Sequence, residues 1–308
     1  MRLRSLYYRS LVLLSVLIIA FAVTTPAFAM NKSNSKTEHM ALLLSTINNP
    51  YFVTMKQAAQ KEAKKLGVKL QVLDAHNDSN TQVSQIQTLL GKNVDLLIVN
   101  PTNANTITPA IKQANKANVP VIFIDRSTKG GKAIAFFASD NVEAGRTACR
   151  YIAKHMNGKG SLAILTGVPG ASATNERSAG CNQVLKKNPK INVVARQTAK
   201  FDRSKALNVM QNMLTSHPQG IDAVFAENDE MALGAINALK AQHALKNTML
   251  VSIDGTPAGQ KAVKKGEISL DVGQQPALMS KFAVASGYHY LENGQLFVPV
   301  PLQQYKHH

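Results

Sequence analysis

The chain has 308 residues, of which 45% are hydrophobic and 17% charged, so its composition is globular and its length suits two lobes of ordinary domain size. The formal net charge of +17 would suit an acidic partner such as nucleic acid or an anionic membrane face. However, the lysines are scattered, and no basic run is interleaved with aromatic residues as in single-strand binders. We therefore interpret the charge as a solvated basic surface and expect no nucleic acid partner.

The first 29 residues have the pattern of a secretory signal peptide. Three arginines and no acid precede the apolar run "LVLLSVLIIAFA" (11–22), and Ala27–Ala29 forms a small-x-small cleavage site. Because that run is shorter than the about 20 residues that cross a bilayer, an uncleaved anchor is the less favoured alternative. We expect a mature protein that begins near Met30, lies outside the cytoplasm and has a net charge of +14.

Short apolar runs then alternate with amphipathic segments, which predicts alternating strands and helices. The predicted strands are 40–46, 68–75, 94–100, 119–125, 133–139, 161–167, 191–197, 221–227, 248–254 and 268–273. The helical patterns repeat apolar residues every three or four positions over 50–66, 80–90 and 203–215, and Gly67 ends the first.

This order predicts an α/β fold with parallel sheets that are covered by helices on both faces. One open sheet of so many strands would be near the practical limit, so we expect two sheets of about five strands. The break should follow Ser139, where the chain enters a new helix at Asp140-Asn141.

Planar polar side chains follow many of the predicted strands. Since ligands of open α/β sheets bind beyond the carboxyl ends of the strands, we expect these side chains to meet at one site. Arg177 and Phe201 would join them from loops or helix starts, and Tyr51 and Phe52 stand behind the first strand end. The strand-end residues are Asn49, Asn100, Asp125, Arg126, Asn228, Asp254 and Gln274.

The chemistry of this set suits a sugar. Carboxylates, amides and guanidinium groups offer paired acceptors or donors to hydroxyls, and charge-assisted hydrogen bonds are the stronger kind. Two acids and two arginines balance, which favours an uncharged ligand, and aromatic rings would cover its C–H faces. Taken singly, each residue also has an ordinary interpretation as a turn residue, an N-cap, a core residue or a local ion pair.

Longer stretches closely resemble the periplasmic ribose-binding proteins, the substrate-capture subunits of sugar ABC importers. These proteins share their fold with the sugar-responsive core of lactose-repressor-type regulators. The resemblance covers about residues 38–302. The stretches that carry it include "STINNPYFVTMKQAAQKEAKKLG", "LLIVNPTNA", "VPVIFIDR", "ERSAG" and "AVFAENDEMALGA".

The resemblance implies a periplasmic, monomeric protein with two Rossmann-like lobes and a hinge of three crossing segments, near 139–140, 274–275 and 300–304. It implies lobes of 38–139 plus 275–300 and of 140–274 plus 301–308, closing on a monosaccharide, with ribose favoured. The implied partners are a membrane permease and its ATPase. The resemblance does not decide whether a chemoreceptor is a further partner. The implied pocket contains all the residues above: Asn49, Tyr51, Phe52, Asn100, Asp125, Arg126, Arg177, Phe201, Asn228, Asp254 and Gln274.

Two features depart from that family's pattern. Ribose binders typically carry two phenylalanines where this chain has Tyr51 and Phe52, which leaves allose, another pentose or a cyclic signalling polyol as alternative ligands. Cys149 and Cys181 fall in predicted helices, where the residues alone leave a disulfide and two unpaired buried thiols equally open. The resemblance modestly favours the disulfide, because both helices would belong to the same half.

Two other functions compete with sugar capture. A carbohydrate-active enzyme would use Asp125 and Asp254 as glycosidase-type acid and nucleophile. Each acid has an arginine as its expected partner, which predicts a low pKa unsuited to a general acid. GxSxG, phosphate-loop and HExxH motifs are absent from the sequence, so we expect no catalytic residue, cofactor or metal. A repressor would need a DNA-binding headpiece in the place of the signal peptide.

Overall fold

The computed structural model describes residues 38–296 of the chain. The predicted signal peptide (1–29) and the third predicted crossing segment (300–304) lie outside this range. Within it, no helix is both long enough and apolar enough to cross a membrane.

The strands form two separate parallel sheets. The first has the order β2-β1-β3-β4-β5 and the second the order β10-β9-β8-β6-β7. In the first, Met40 pairs with Leu70 on one side and with Leu96 on the other. The strands are β1 His39–Leu44, β2 Lys69–Asp74, β3 Leu96–Val99, β4 Val121–Ile124, β5 Ala135–Phe137, β6 Lys159–Thr166, β7 Lys190–Thr198, β8 Ala223–Ala226, β9 Met249–Asp254 and β10 Leu270–Gly273.

Helices connect the strands and cover both faces of each sheet. They are α1 Pro50–Leu66, α2 Ser79–Leu90, α3 Thr108–Lys116, α4 Asn141–His155, α5 Ser172–Leu185, α6 Arg203–Ser216, α7 Asp229–Ala241, α8 Pro257–Lys264 and α9 Pro276–Asn293. The predicted α/β class, the two five-stranded sheets and every predicted strand are thereby confirmed.

The first sheet shows why its strands are continuous apolar runs. Alternate residues of a strand point to opposite faces, and here both faces are buried. Leu42 and Leu44 of β1 pack with the helices α1 and α9, whereas Ala41 and Leu43 pack with α2 and α3. A strand with water on one face would alternate apolar and polar residues instead.

Helix α1 begins and ends at residues that favour helix termini. The side chain of Asn49 accepts a hydrogen bond from the Tyr51 backbone amide, Pro50 occupies the first turn, and Gly67 ends the helix with φ of 72°. Phe52, Met55, Ala59 and Ala63 recur on its buried face. The N-terminal turn of α1 therefore lies at the carboxyl end of β1, beside the site.

We call the first sheet with α1, α2, α3 and α9 the N-lobe, and the second sheet with α4 to α8 the C-lobe. The chain passes to the C-lobe between β5 and α4 and returns between β10 and α9. The return is visible in the packing of α9, which contacts α1, β3, β4 and β5. The ring of Phe282 on α9 lies 6.3 Å from that of Phe137 on β5.

A disulfide joins α4 to α5 inside the C-lobe. Cys149 and Cys181 are bonded, with Cα atoms 5.1 Å apart, and neither residue is exposed to solvent. The two helices approach so closely at Gly145 that a Cβ there would lie 2.0 Å from the backbone oxygen of Arg177. Only glycine fits at this contact. The pairing that the resemblance favoured is confirmed.

Candidate functional site

The two lobes enclose a small cavity at the carboxyl ends of their strands. None of its lining residues is more than 9% exposed, so the lobes are closed around it. The cavity is small, which suits a small ligand. Its lining residues are Asn49, Tyr51, Phe52, Asp125, Arg126, Ala173, Arg177, Phe201, Asn228, Asp254 and Gln274.

Every residue that the sequence placed at the site lines this cavity except Asn100. Asn100 is fully buried behind Asp125. Its Nδ2 donates to Asp125 Oδ2 at 2.9 Å, and its Oδ1 accepts from the backbone amide of Ser45 at 3.1 Å. Asn100 therefore lies behind the cavity wall in this structure, where its side chain orients the acid.

Asn49 and Asn228 combine a structural role with a place in the cavity wall. Asn49 Oδ1 accepts from the Tyr51 amide at 2.9 Å, and Asn228 Oδ1 accepts from the Met231 amide at 3.0 Å. Each side chain thus caps a helix, which the ordinary interpretation predicted for Asn228, whereas it took Asn49 as a turn residue. Because the oxygen is engaged, the amide NH2 group is the part that remains to donate to a ligand.

Asp125 is held in a strained turn at the end of β4. The backbone amide of Arg126 donates to the Ile124 oxygen at 2.6 Å, which closes a three-residue turn, and Asp125 has φ of 60°. The second cavity acid, Asp254, has φ of 146°. Non-glycine residues in such conformations are costly and concentrate at functional sites.

Arg126 lies between aromatic rings from the two lobes. Its guanidinium carbon is 5.2 Å from the ring centroid of Phe52 and 5.3 Å from that of Phe201. Its Nε is 3.5 Å from Asp125 Oδ2. Among the described residues, Nε and Nη1 of Arg126 have no hydrogen-bond partner, so the cavity wall presents buried donors.

Phe201 reaches the cavity from the loop between β7 and α6. Lys200 and Phe201 both have left-handed backbone conformations, with φ of 55° and 58°. The ring packs on Gly167, where a Cβ would lie 2.0 Å from the Phe201 Cζ atom. Glycine is therefore required at position 167 to admit the ring.

Arg177 is held from behind by residues that the sequence interpretation missed. Its Nε donates to Asn141 Oδ1 at 2.9 Å, and its Nη1 donates to the backbone oxygen of Glu227. Nη1 also lies 3.8 Å from Asp254 Oδ1. Glu227 ends a predicted strand and could have been found by that signal, whereas Asn141 and the lining residue Ala173 carry no comparable one.

Hydrogen bonds connect the two cavity acids. The Tyr51 hydroxyl donates to Asp125 Oδ1 at 3.0 Å and lies 3.3 Å from Gln274 Oε1. Gln274 Nε2 donates to Asp254 Oδ1 at 2.9 Å. A polar chain therefore runs from the N-lobe acid to the C-lobe acid along one side of the cavity.

Burial dominates the electrostatics of the site. It raises the pKa of Asp254 well above its usual range, although the Arg177 guanidinium opposes the shift. The expectation that its arginine partner would keep the pKa of Asp254 low is therefore wrong, since desolvation outweighs the ion pair. Burial and the nearby Asp125 carboxylate also raise the pKa of Tyr51, so its hydroxyl stays a hydrogen-bond donor.

Known proteins share both the sequence and the fold. Residues 40–295 match the periplasmic binding protein domain family. The chain is 42% identical to the ribose import binding protein of Bacillus subtilis, over 87% of each chain, and 44% identical to that of Escherichia coli, over 84% of each. The crystal structure of a Caulobacter myo-inositol binding protein bound to myo-inositol superposes with a TM-score of 0.83 at 31% identity, over 86% of this chain and 91% of that one.

The match extends over both lobes and both halves of the cavity wall. Because the family match runs from β1 to the end of α9, it includes every element that contributes a lining residue. The chain belongs to the periplasmic binding protein family.

Proposed function

We propose that this protein captures a monosaccharide, D-ribose, between its two lobes and delivers it to an ABC import permease with its ATPase. The observation that carries the proposal is the closed cavity, in which both lobes contribute an acid, a guanidinium group and an aromatic ring. A ligand that touches both lobes favours the closed arrangement, and the permease can then distinguish the loaded protein from the empty one.

The chemistry of the wall supports an uncharged polyol. Asp125 and Arg126 lie on the N-lobe side, and Asp254 and Arg177 on the C-lobe side, so each side offers both an acceptor and donors. A hydroxyl both donates and accepts, and such a wall meets both needs with charge-assisted hydrogen bonds. The ribose import binding proteins to which the chain is similar support D-ribose as the ligand.

The remaining parts of the proposal concern the chain as a whole. Residues 1–29 direct export and are removed, and the mature protein works in the periplasm as a monomer. The moving bodies are residues 38–139 with 275–300, and residues 140–274 with 301–308. The protein binds its sugar without altering it.

A cyclic polyol is the second candidate ligand. The similarity to the Caulobacter protein bound to myo-inositol favours it. Calorimetry of the mature protein against D-ribose, D-allose, other pentoses and myo-inositol tests both candidates. We expect D-ribose to bind most tightly. If myo-inositol binds most tightly, it takes the place of D-ribose as the assigned ligand. If none of these compounds binds, the proposal is overturned.

A second experiment separates capture from catalysis. The mature protein is incubated with D-ribose and with glycosides of ribose, and products are sought by chromatography. We expect the sugars to be recovered unchanged. Turnover that is lost on substitution of Asp125 or Asp254 by Asn would establish the enzyme instead.

A further inference from the structure

The Tyr51 hydroxyl occupies a position in the wall where two acceptors converge. Asp125 Oδ1 lies 3.0 Å away and Gln274 Oε1 lies 3.3 Å away. The amide of Gln274 is oriented by its other end, because Nε2 donates to Asp254 Oδ1 at 2.9 Å. The oxygen of Gln274 is therefore directed to Tyr51, so two acceptors face the hydroxyl, whose one proton is donated to the nearer, Asp125 Oδ1.

The surroundings leave the hydroxyl little freedom. Tyr51 is 4% exposed, and its ring stands edge-on to that of Phe52, with centroids 5.3 Å apart and planes at 88°. The sulfur of Met279 lies 3.8 Å from the hydroxyl oxygen. A phenylalanine here would keep the ring and remove only the oxygen, leaving the Asp125 Oδ1 acceptor without its donor.

We propose that the Tyr51 hydroxyl determines specificity by taking the place of a ligand hydroxyl between Asp125 and Gln274. This inference rests on the proposed function and names the sugars that the site selects. A ligand must fit beside the hydroxyl without an extra group at this point, so the site favours a pentose over the corresponding hexose. The cavity is small, so one additional hydroxymethyl group must find room of its own.

The test compares two sugars on two proteins. D-ribose and D-allose have the same ring configuration as pyranoses, and D-allose carries one additional hydroxymethyl group. Calorimetry gives the ratio of their affinities for the wild type and for Tyr51→Phe. We expect Tyr51→Phe to raise the ratio of the affinity for D-allose to the affinity for D-ribose about tenfold or more. The reason is that an allose hydroxyl can supply the missing donor. A ratio within about threefold of the wild-type value would overturn the inference.

A matched control uses another tyrosine. Tyr151 on α4 stacks on His155, with ring centroids 3.9 Å apart, and does not line the cavity. Tyr151→Phe should leave the affinity ratio unchanged, and the same shift in both variants would overturn the assignment to Tyr51. If the wild type binds none of the monosaccharides, the proposed function itself fails. If it binds them and the ratio stays constant, only the role of Tyr51 fails.

A second measurement does not depend on the variant folding. A crystal structure of the wild type with D-ribose should retain the bond from the Tyr51 hydroxyl to Asp125 Oδ1, with no ligand oxygen between Asp125 and Gln274. A ribose hydroxyl inserted between those two side chains would overturn the inference.

Discussion

Arg177 gathers several groups of the C-lobe into one arrangement. It bonds to Asn141 and to the Glu227 backbone oxygen, and it faces Asp254 across 3.8 Å while being only 3% exposed. A guanidinium in this position can donate to a ligand in the cavity and also neutralise the buried acid. Removing it takes a charged donor away from a buried acid, and the unmet hydrogen bonds become the cost of the change.

Arg177→Ala should therefore weaken D-ribose binding by about 2–5 kcal/mol, which is a loss of about 30-fold or more. Calorimetry at neutral pH measures the loss directly. Arg196→Ala is the control, because Arg196 on β7 is exposed and bonds to Asn182 Oδ1 at 2.8 Å, away from the cavity wall. Equal affinities of Arg177→Ala and wild type would reject the place of Arg177 at the site.

Glu227 is a buried acid just behind the cavity, and it makes stability depend on pH. Burial raises its pKa from the ordinary 4.5 to about 7, although hydrogen bonds from Ser178 and the Gly167 amide oppose the shift. Between these two values the folded protein binds the proton more tightly than the unfolded chain does. Its contribution to stability is therefore complete below pH 4.5 and declines as the pH rises to about 7.

Glu227→Gln removes this titration and keeps the size of the side chain. Relative to the variant, the wild type should lose up to about 3 kcal/mol of unfolding free energy between pH 4.5 and pH 7.5. Urea unfolding of both proteins across this range measures the difference, and the comparison cancels other groups that titrate nearby, such as Asp271. A difference between the two proteins that stays constant with pH would contradict the assignment.

At the scale of elements, α4 and α5 form the tightest helix pair at the site. Glycines at 145 and 180 admit the close approach, and the Cys149–Cys181 disulfide fixes it one helical turn beyond Arg177. Arg177 is thus positioned by a rigid pair of helices. The sequence separation of 32 residues between the cysteines gives the disulfide a sizeable effect on the unfolded chain.

Replacing both cysteines by alanine should lower the unfolding free energy by about 3–4 kcal/mol in the loop-entropy description. Denaturant unfolding monitored by circular dichroism measures the loss, and the wild type in a strong reductant provides a second comparison. Retention of the full unfolding free energy in the double variant would show that packing between the helices suffices without the bond.

The elements could be predicted from sequence because their signals are local. The apolar run of β1 and the Asn49-Pro50 start and Gly67 end of α1 follow from side-chain period and capping chemistry alone. The residues that gather at the strand ends also followed from position in the chain. For Arg177 and Phe201, the resemblance to a family supplied a firmer position than the residues did.

Contacts between distant segments could not be predicted in this way. Asn100 meets Asp125 across 25 residues of chain, and the burial that raises the pKa of Asp254 comes from segments far apart in the sequence. The bond between Tyr51 and Asp125 joins residues 74 positions apart, and its partner Gln274 lies 223 positions from Tyr51. No local pattern encodes such distances.

At the scale of the molecule, the lobes touch directly as well as through the cavity. The Ala104 amide of the N-lobe donates to the Gly170 oxygen of the C-lobe at 2.9 Å, and the Ser127 amide donates to Ser172 Oγ at 3.0 Å. Elsewhere a polar cleft of about 370 Å³ lies between the lobes, lined by residues such as His76 and Arg203. Direct hydrogen bonds therefore join the lobes in the closed arrangement.

Gly170 permits this contact, which makes it a test of how closure controls affinity. Its φ is 84°, and a Cβ would lie 2.1 Å from Nδ2 of Asn103 in the opposite lobe. Asn103 cannot turn away freely, because its Oδ1 accepts from the amides of Asn105 and Thr106. Gly170→Ala should thus disfavour the closed arrangement and reduce the affinity for D-ribose about 10- to 100-fold, although Gly170 does not line the cavity.

The matched control is Gly220→Ala. Gly220 has φ of 92° and no atom within 4 Å of a built Cβ, so it carries the same backbone strain without a clash. It should lower stability and leave the affinity for D-ribose unchanged. Small-angle scattering should show that D-ribose compacts the wild type and Gly220→Ala fully but Gly170→Ala only at higher concentration. Compaction and binding of Gly170→Ala at wild-type sugar concentrations would mean that the ligand alone holds the lobes together, because the interlobe contact would then be dispensable.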